Sequence, residues 1–291
     1  MRQFILGLLP IRLRFALRYM VQHKRFTLLL RPRLFTEKLV LRIALDRRAI
    51  FRACADKCAM RDYIENKVGQ KFLPDVIQKC TDPTLIDWEQ LPSNFVVKAS
   101  HGSGFVRIVK DFDAGDDHLK DSIIAECKEW LKVDYGKWSR EWAYVGLPRV
   151  VIIEDFVEAD YRDDDGTPWD FKCFVFGGRC EIIQVDSERF KGHRRNLYTR
   201  DWNPIDATYH FPKSNAILPK LEKLPSMIKI AEAAGYDMDF VRVDLYLSGG
   251  RVLIGELTLT PGGGGEAFSD PAVDKFLGSC WNQTLVNKLK F

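Results

Sequence analysis

Arg242-Val-Asp-Leu-Tyr246, followed shortly by Gly255-Glu-Leu-Thr-Leu-Thr-Pro-Gly262, puts two acids, Asp244 and Glu256, on neighbouring apolar runs. Phe240 to Leu247 alternates with the period of a strand, Ser248-Gly249-Gly250 is turn chemistry, and Arg251 to Leu259 alternates again. The pattern predicts a β-hairpin with its acids on adjacent strands. Carboxylates held this way suit Mg²⁺, a hard cation usually bound by one or two carboxylates together with the phosphates of a nucleotide. A solvated hairpin bearing surface acids has the same pattern, so the reading needs support from the rest of the chain.

Upstream, the second half reads mostly as strands: Asp170 to Phe176, a Gly177-Gly178 turn, and Glu181 to Asp186. A basic loop from Arg189 to Arg200 and a helix at Pro225 to Gly235 lead to the hairpin. In the first half, Arg48 to Val68 has Ile50, Phe51, Cys54, Cys58 and Tyr63 spaced for one helical face. Pro74, Asp82-Pro83 and Pro92-Ser93 punctuate a connection into the short buried strand Phe95-Val-Val-Lys98. Ser100 to Gly104 is a small-residue loop between that strand and Val106 to Val109. Asp121 to Val133 reads as helix, and Arg149 to Val157 as an apolar strand ending in acids. Helices inserted into an otherwise antiparallel layout predict the α+β class.

The 291 residues, 46% hydrophobic and 29% charged, have ordinary globular composition and can bury a sizeable core. Seven cysteines without Cys-x-x-Cys spacing argue against a zinc ribbon or a disulfide framework and for a reducing, cytoplasmic setting. Five scattered histidines make a zinc hydrolase a poor fit. The net charge of +4 conceals a local +10 over residues 1–48, so the remainder carries −6. The basic charge is thus a local device, and no nucleic-acid partner is expected.

Phe4 to Pro10 is apolar but too short to span a bilayer, Arg12, Arg14 and Arg18 interrupt the stretch after it, and no signal cleavage site appears. Ile11 to Leu30 reads as a basic helix with Phe15, Leu17, Tyr19 and Phe26 available for an interface. Either an anionic membrane surface, contacted peripherally at the inner face, or the protein's own body would receive it.

Chemistry-bearing residues recur along this frame. Lys98 precedes Ser100-His101-Gly102-Ser103-Gly104, where glycines let backbone N–H groups approach phosphate oxygens and a lysine adds a point charge. The spacing is not that of a Walker loop, and a plain turn is the alternative. Glu154-Asp155-Phe156-Val157 ends an apolar strand before the acidic stretch Glu158 to Gly166, a kind of strand end that commonly offers main-chain groups to an adenine, although nothing in the residue types demands it. Asp170 and Lys172 share one strand face, suited to a ribose hydroxyl and a phosphate, or else to a cross-strand ion pair. Arg189 and Arg195 have the planar fork that matches phosphate and carboxylate oxygens, and a solvated charge run is the alternative.

The order of these signals is more specific than any one of them. Phe35-Thr-Glu-Lys38, Ala55-Asp-Lys57 with Arg61, Lys98-Ala-Ser-His-Gly-Ser-Gly104, Asp170-Phe-Lys-Cys-Phe174, Gln184-Val-Asp-Ser187, Arg242-Val-Asp-Leu-Tyr246 and Glu256-Leu-Thr-Leu-Thr-Pro-Gly262 occur in succession. From about Ala55 onward the chain resembles the ATP-grasp superfamily, and most closely its TupA-like branch associated with polysaccharide biosynthesis. The resemblance implies an ATP-grasp fold of two α+β subdomains clamping ATP, here residues 51–157 and 158–291, after a basic helical leader over residues 1–50.

Roles carry over by position. Lys57 and Lys98 match the lysines that reach ATP phosphates, and Ser100, His101, Gly102, Ser103 and Gly104 match the loop covering them. Glu154, Asp155, Phe156 and Val157 match the adenine hinge, with Asp170 near ribose and Lys172 near phosphate. Asp244 and Glu256 match the metal carboxylates for Mg²⁺, or Mn²⁺ in its place. Thr258 stands where many members have Asn, which puts the second metal in question. Arg189, Arg195 and Arg242 are the expected catalytic cations.

The implied activity is an ATP-dependent carboxylate–amine ligase working through an acylphosphate on an anionic saccharide or amino acid, with uronic acid amidation as the natural example. Two alternatives stay open from sequence. One is a sugar kinase on the same fold, with Asp186 or Asp244 as base. The other is a non-catalytic nucleotide-binding component of the polysaccharide machinery. The glycines after Pro261 would let the backbone approach an acceptor closely, or form a loose turn.

Overall fold

The computed structural model describes residues 10–139, 141–164, 166–189, 192–214, 218 and 220–283. The apolar run from Phe4 to Leu9, together with Phe190 and Lys191 of the basic segment, lies outside them. In chain order the elements are α1 (Ile11–His23), α2 (Phe35–Leu45), α3 (Ile50–Ala55), α4 (Lys57–Val68), β1 (Val76–Cys80), β2 (Phe95–Ala99), β3 (Val106–Val109), α5 (Asp117–Lys132), α6 (Tyr135–Ser139) and β4 (Val151–Asp155). The second half adds β5 (Asp170–Phe176), β6 (Arg179–Ser187), β7 (Arg194–Thr199), β8 (Pro204–Ile205), α7 (Leu224–Gly235), β9 (Val241–Ser248), β10 (Arg251–Thr258) and α8 (Pro271–Cys280). One sheet has the order β1-β4-β2-β3 and the other β10-β9-β5-β6-β7-β8. The strand pairs with a described register are all antiparallel, as α+β organisation requires.

The chain divides into two compact units, residues 1–47, 160–246 and 257–291 in the first and 48–159 with 247–256 in the second. In the first, strand alternation sorts side chains onto two faces of the long sheet. Lys172 lies opposite Gln184 on β6 and Asp244 on β9, Asp170 opposite Asp186, and Phe174 opposite Ile182 and Arg242. One face is therefore charged at one end and apolar at the other. The apolar end joins Phe174, Ile182 and Leu197 to Phe35, Leu39, Phe240 and Trp281 in a buried core. In the second unit, β2 and β4 pack Phe95, Val97, Val151 and Ile153 against Ile123 and Cys127 of α5.

The predicted hairpin is present as β9 and β10, and its turn residues Gly249 and Gly250 have φ of 54° and 70°, the left-handed values a tight hairpin needs. Several boundaries differ from expectation. The basic helix stops at His23 and not at Leu30, because Lys24 turns left-handed at φ 53°. The helix read across Arg48 to Val68 is two helices, since Asp56 interrupts it and accepts a hydrogen bond from the Cys58 N–H at 2.9 Å to begin α4. Part of the basic loop is the strand β7, paired along β6 from Ile182–Thr199 to Ser187–Arg194. The glycines after Pro261 form a packed turn. The Gly263 and Gly264 carbonyls accept hydrogen bonds from Arg18 and His23, both at 2.9 Å.

Candidate active site

Within the first unit the charged end of the sheet gathers Asp170, Lys172, Asp186, Arg195, Arg242 and Asp244 from four strands, with Arg189 beside them. Lys172 Nζ lies 2.9 Å from Asp186 Oδ2, 3.1 Å from Asp170 Oδ2 and 3.8 Å from Asp244 Oδ2. Burial pushes its ammonium pKa down, but Asp170 and Asp244 outweigh that against the opposing Arg242, so the pKa stands above normal and the charge is kept. Arg189 donates to Asp170 Oδ2 at 2.6 Å, its side chain still part-exposed, and burial is again outweighed by Asp170.

Asp186 is fully buried. Arg195 donates to both its oxygens at 2.6 and 3.2 Å, and the Gln184 amide does the same at 3.0 Å. Burial would raise its pKa, but His193, Lys172 and Arg195 hold the carboxyl far below the usual range. Arg195 also contacts Glu266 at 3.2 Å, so its fork is committed within the protein.

Arg242 donates to both oxygens of Asp244 at 2.7 Å and to the Thr258 hydroxyl at 3.2 Å. One guanidinium thus joins the two first-unit oxygen groups expected to hold a metal. Two buried acceptors in this cluster, Asp170 Oδ1 and Gln184 Oε1, have no hydrogen-bond partner among the described residues. Orphan acceptors of this kind call for donors such as ligand hydroxyls or amines.

In the second unit, Lys57 is the first residue of α4, placed there by the Asp56 cap. Its N–H donates to Ser100 O at 3.0 Å and its Nζ to Gly102 O. Burial lowers its pKa, and Glu256 is the strongest charge opposing that shift. Lys98 is held by Glu154 at 2.5 Å, and Arg61 braces the other Glu154 oxygen at 2.8 Å. The loop beyond Lys98 is anchored at its start. Ser100 Oγ donates to Pro148 O at 2.9 Å, and the His101 ring meets Trp130 O at 3.1 Å. A carbonyl only accepts, so the bonded His101 Nε2 carries the proton, and burial favours the neutral ring. Gly102 sits where a Cβ would come within 2.7 Å of the Phe105 ring, whereas Ser103 and Gly104 are exposed.

β4 is an internal strand paired on both sides, and Asp155 N–H is bonded to Asp75 O at 2.9 Å. The Glu154 side chain holds cations and the strand ends at Asp155. Of the hinge residues, Phe156 and Val157 come after the ladder.

The sequence profile of the TupA-like ATPgrasp family matches residues 37–282, a span that contains every candidate-site residue described in both units. The chain belongs to the TupA-like ATP-grasp family. No curated protein matches it. Among solved structures it is similar to a D-alanine–D-alanine ligase from Bacillus anthracis complexed with ATP, at 18% identity over 72% of this chain and 56% of that one, TM-score 0.44. A D-alanine–D-alanine ligase from Helicobacter pylori is 14% identical over 78% and 61%, TM-score 0.43. The ATP-grasp ligase PsnB, complexed with minimal precursor, Mg and ADP, is 11% identical over 72% and 52%, TM-score 0.40. The chain spans little more than half the length of the first of these.

Among the TupA-like residues, Asp170, Lys172, Arg189, Arg242, Asp244 and Thr258 fall in the first unit's cluster. Lys57, Lys98, Glu154 and Glu256 fall in the second's. Three residues without an assigned role from sequence also belong here: Gln184 and Glu266, which hold the Asp186–Arg195 pair, and Arg61, which holds Glu154. Gln184 and Arg61 stand inside the family phrases quoted above, whereas Glu266 has no local signal.

Carboxylate and hydroxyl oxygens from Asp244, Glu256 and Thr258 have the donor chemistry Mg²⁺ prefers, with no sulfur or imidazole among them. No group of three or more His, Cys, Asp or Glu converges on a metal position among the described residues.

Proposed function

We propose that this chain is an ATP-dependent carboxylate–amine ligase that proceeds through an acylphosphate. Lys57, Lys98 and the backbone of Gly102 to Gly104 take the phosphates, and Phe156 with Val157 offers main-chain groups to adenine. Asp170 accepts from ribose. Lys172 and Arg189 carry the charge that balances the transferring phosphoryl group. Arg242 positions Asp244, and Arg195 positions Asp186. Asp244, Glu256 and Thr258 would hold Mg²⁺, which supplies charge neutralisation at the phosphates when bound.

The observation that carries this reading is that each candidate cation of the first unit's cluster rests on a buried acid: Lys172 on Asp170 and Asp186, Arg195 on Asp186, Arg242 on Asp244. Buried ion pairs are poor stabilisers beside apolar packing. Their retention here fits a site that must orient charge before a polyanion arrives.

In the reaction, a carboxylate oxygen attacks the γ-phosphorus and the bond to the bridging oxygen breaks, releasing ADP. The amine then attacks the acyl carbon, loses a proton, and expels phosphate that retains one oxygen of the original carboxylate. A carboxylate is already an anion and needs no base. A sugar hydroxyl does need one, and the two acids read from sequence for that role are engaged. Asp186 is held far below neutrality and both oxygens of Asp244 are bound by Arg242. The geometry therefore favours the ligase over the kinase.

The substrate we assign is an anionic saccharide, a cell-surface polysaccharide or its precursor, whose uronic carboxylate is amidated by an amino acid in the cytoplasm. Seven free thiols suit a reducing compartment. No helix among the described residues is long and apolar enough to cross a membrane. The test is isotopic: ¹⁸O placed in the saccharide carboxylate should appear in released phosphate. Label that stays entirely in a phosphorylated sugar would replace the ligase with the kinase.

A further inference from the structure

α1 has two apolar faces, of which one is buried and the other, among the described residues, stays part-exposed. Ala16 and Tyr19 are buried with Leu29 against Val40 and Leu41 of α2, and Tyr19 Oη lies 3.0 Å from Thr36 Oγ1. Arg18 and His23 tie the same helix to the Gly263 and Gly264 carbonyls. The other face is the stripe Leu13, Leu17, Met20 and Val21, spaced i, i+4, i+7 and i+8 as one side of a helix requires. Val21 is 76% exposed. Beyond the helix, Leu29 turns inward while its neighbours face water: Phe26 is 75% exposed, Leu28 48% and Leu30 53%. Lys24, Arg25, Arg31 and Arg33 are exposed beside them. From residue 10 to residue 36 there are seven Lys or Arg and no Asp or Glu.

We propose that this face is a docking surface for an anionic lipid bilayer, with Val21, Phe26, Leu28 and Leu30 entering the headgroup boundary and the basic side chains meeting lipid phosphates. An apolar stripe rimmed by cations is the composition of an interfacial helix. Charge argues against a second copy of the chain as occupant. A twofold contact would set the same patch against itself, and acid-free basic surface would then meet its like. The inference is independent of the ligase reading, since none of these residues belongs to the candidate site.

The test is co-sedimentation of the full chain with vesicles of phosphatidylcholine alone and of phosphatidylcholine mixed with phosphatidylglycerol. The protein should pellet with the anionic vesicles, less so at high salt, and poorly with the neutral ones. Phe26→Asp with Leu28→Asp should weaken binding about tenfold or more, with circular dichroism showing an unchanged fold at these exposed positions. Arg25→Gln with Arg31→Gln should weaken it also. Absent pelleting, or equal pelleting with neutral vesicles, would overturn the proposal. So would concentration-dependent dimerisation that the aspartate variant abolishes.

Discussion

Asp186 shows what a single buried side chain contributes here. It has no exposed surface, and Lys172, Gln184, Arg195 and His193 all address it. Its pKa is lowered in the folded state, so its stabilising contribution is present in full above the ordinary carboxylate value of about 4 and is lost progressively as pH falls from there toward the much lower folded value. Acid titration of the fold, followed by circular dichroism, should show destabilisation beginning near that pH and attenuated in Asp186→Asn. The variant should also be less stable at neutral pH by about 3–5 kcal/mol, as expected when one partner of a buried pair is removed. A neutral-pH loss well under 1 kcal/mol would show the cluster is dispensable to the fold. Asp170 and Lys172 are legible in sequence because their period-two spacing sets them on one face, and Asp244 because it stands on an alternating run beside a second one that carries Glu256. Asp186 reads there as a potential base, and its structural role becomes visible only when β7 brings Arg195 opposite it.

Among the elements, α2 and the base of the hairpin depend on Arg42. Its fully buried guanidinium donates to Phe240 O at 2.9 Å and Leu259 O at 3.2 Å, pairs with Asp239 at 2.5 Å, and lies 4.3 Å from the Trp281 ring centroid. Arg42→Ala should cost about 3–5 kcal/mol in urea unfolding, and Arg42→Lys should restore little because one ammonium cannot serve all these acceptors. Close packing sets a second limit. A Cβ at Gly278 of α8 would stand 2.0 Å from Arg33 O, so Gly278→Ala should destabilise by about 1–3 kcal/mol. A thermal melt unchanged by that substitution would contradict the packing described.

The hairpin, β2, β5, β6 and α7 conform to their sequence patterns, β2 by alternating buried and half-buried residues and β5 as an apolar run buried along its whole length. α2 falls within the helical leader expected over residues 1–50, but its bounds are not read separately there; Phe35, Leu39, Val40, Leu41 and Ala44 are buried on more than one side. β1 escapes a strand reading because four half-buried residues and the exposed Lys79, soon after Pro74, resemble a connection. α8 opens with an Asp270 cap and Pro271 in its first turn, a start signal that sequence does contain.

On the scale of the whole molecule, membership of the TupA-like ATP-grasp family and the two charged clusters are the basis for ATP-dependent chemistry. MgATP should raise the melting temperature, since a ligand at a hundredfold its Kd adds about 2.7 kcal/mol to the folded state. Lys98→Met should reduce that rise, because a charged hydrogen bond to phosphate contributes about 1.5–3 kcal/mol. An undiminished rise in the variant would remove Lys98 from the nucleotide site.

The order of motifs along the chain makes the family legible from sequence. The acceptor is not legible in the same way, because the arginines that would meet it look like any basic run until their partners are known. The most direct measurement is therefore hydroxylamine trapping, with purified protein, ATP, Mg²⁺ and a panel of uronic-acid saccharides and amino acids. The ligase account predicts hydroxamate that requires ATP and one particular carboxylate, with ADP released alongside. ADP accompanied by a phosphorylated sugar, and no hydroxamate, would contradict it.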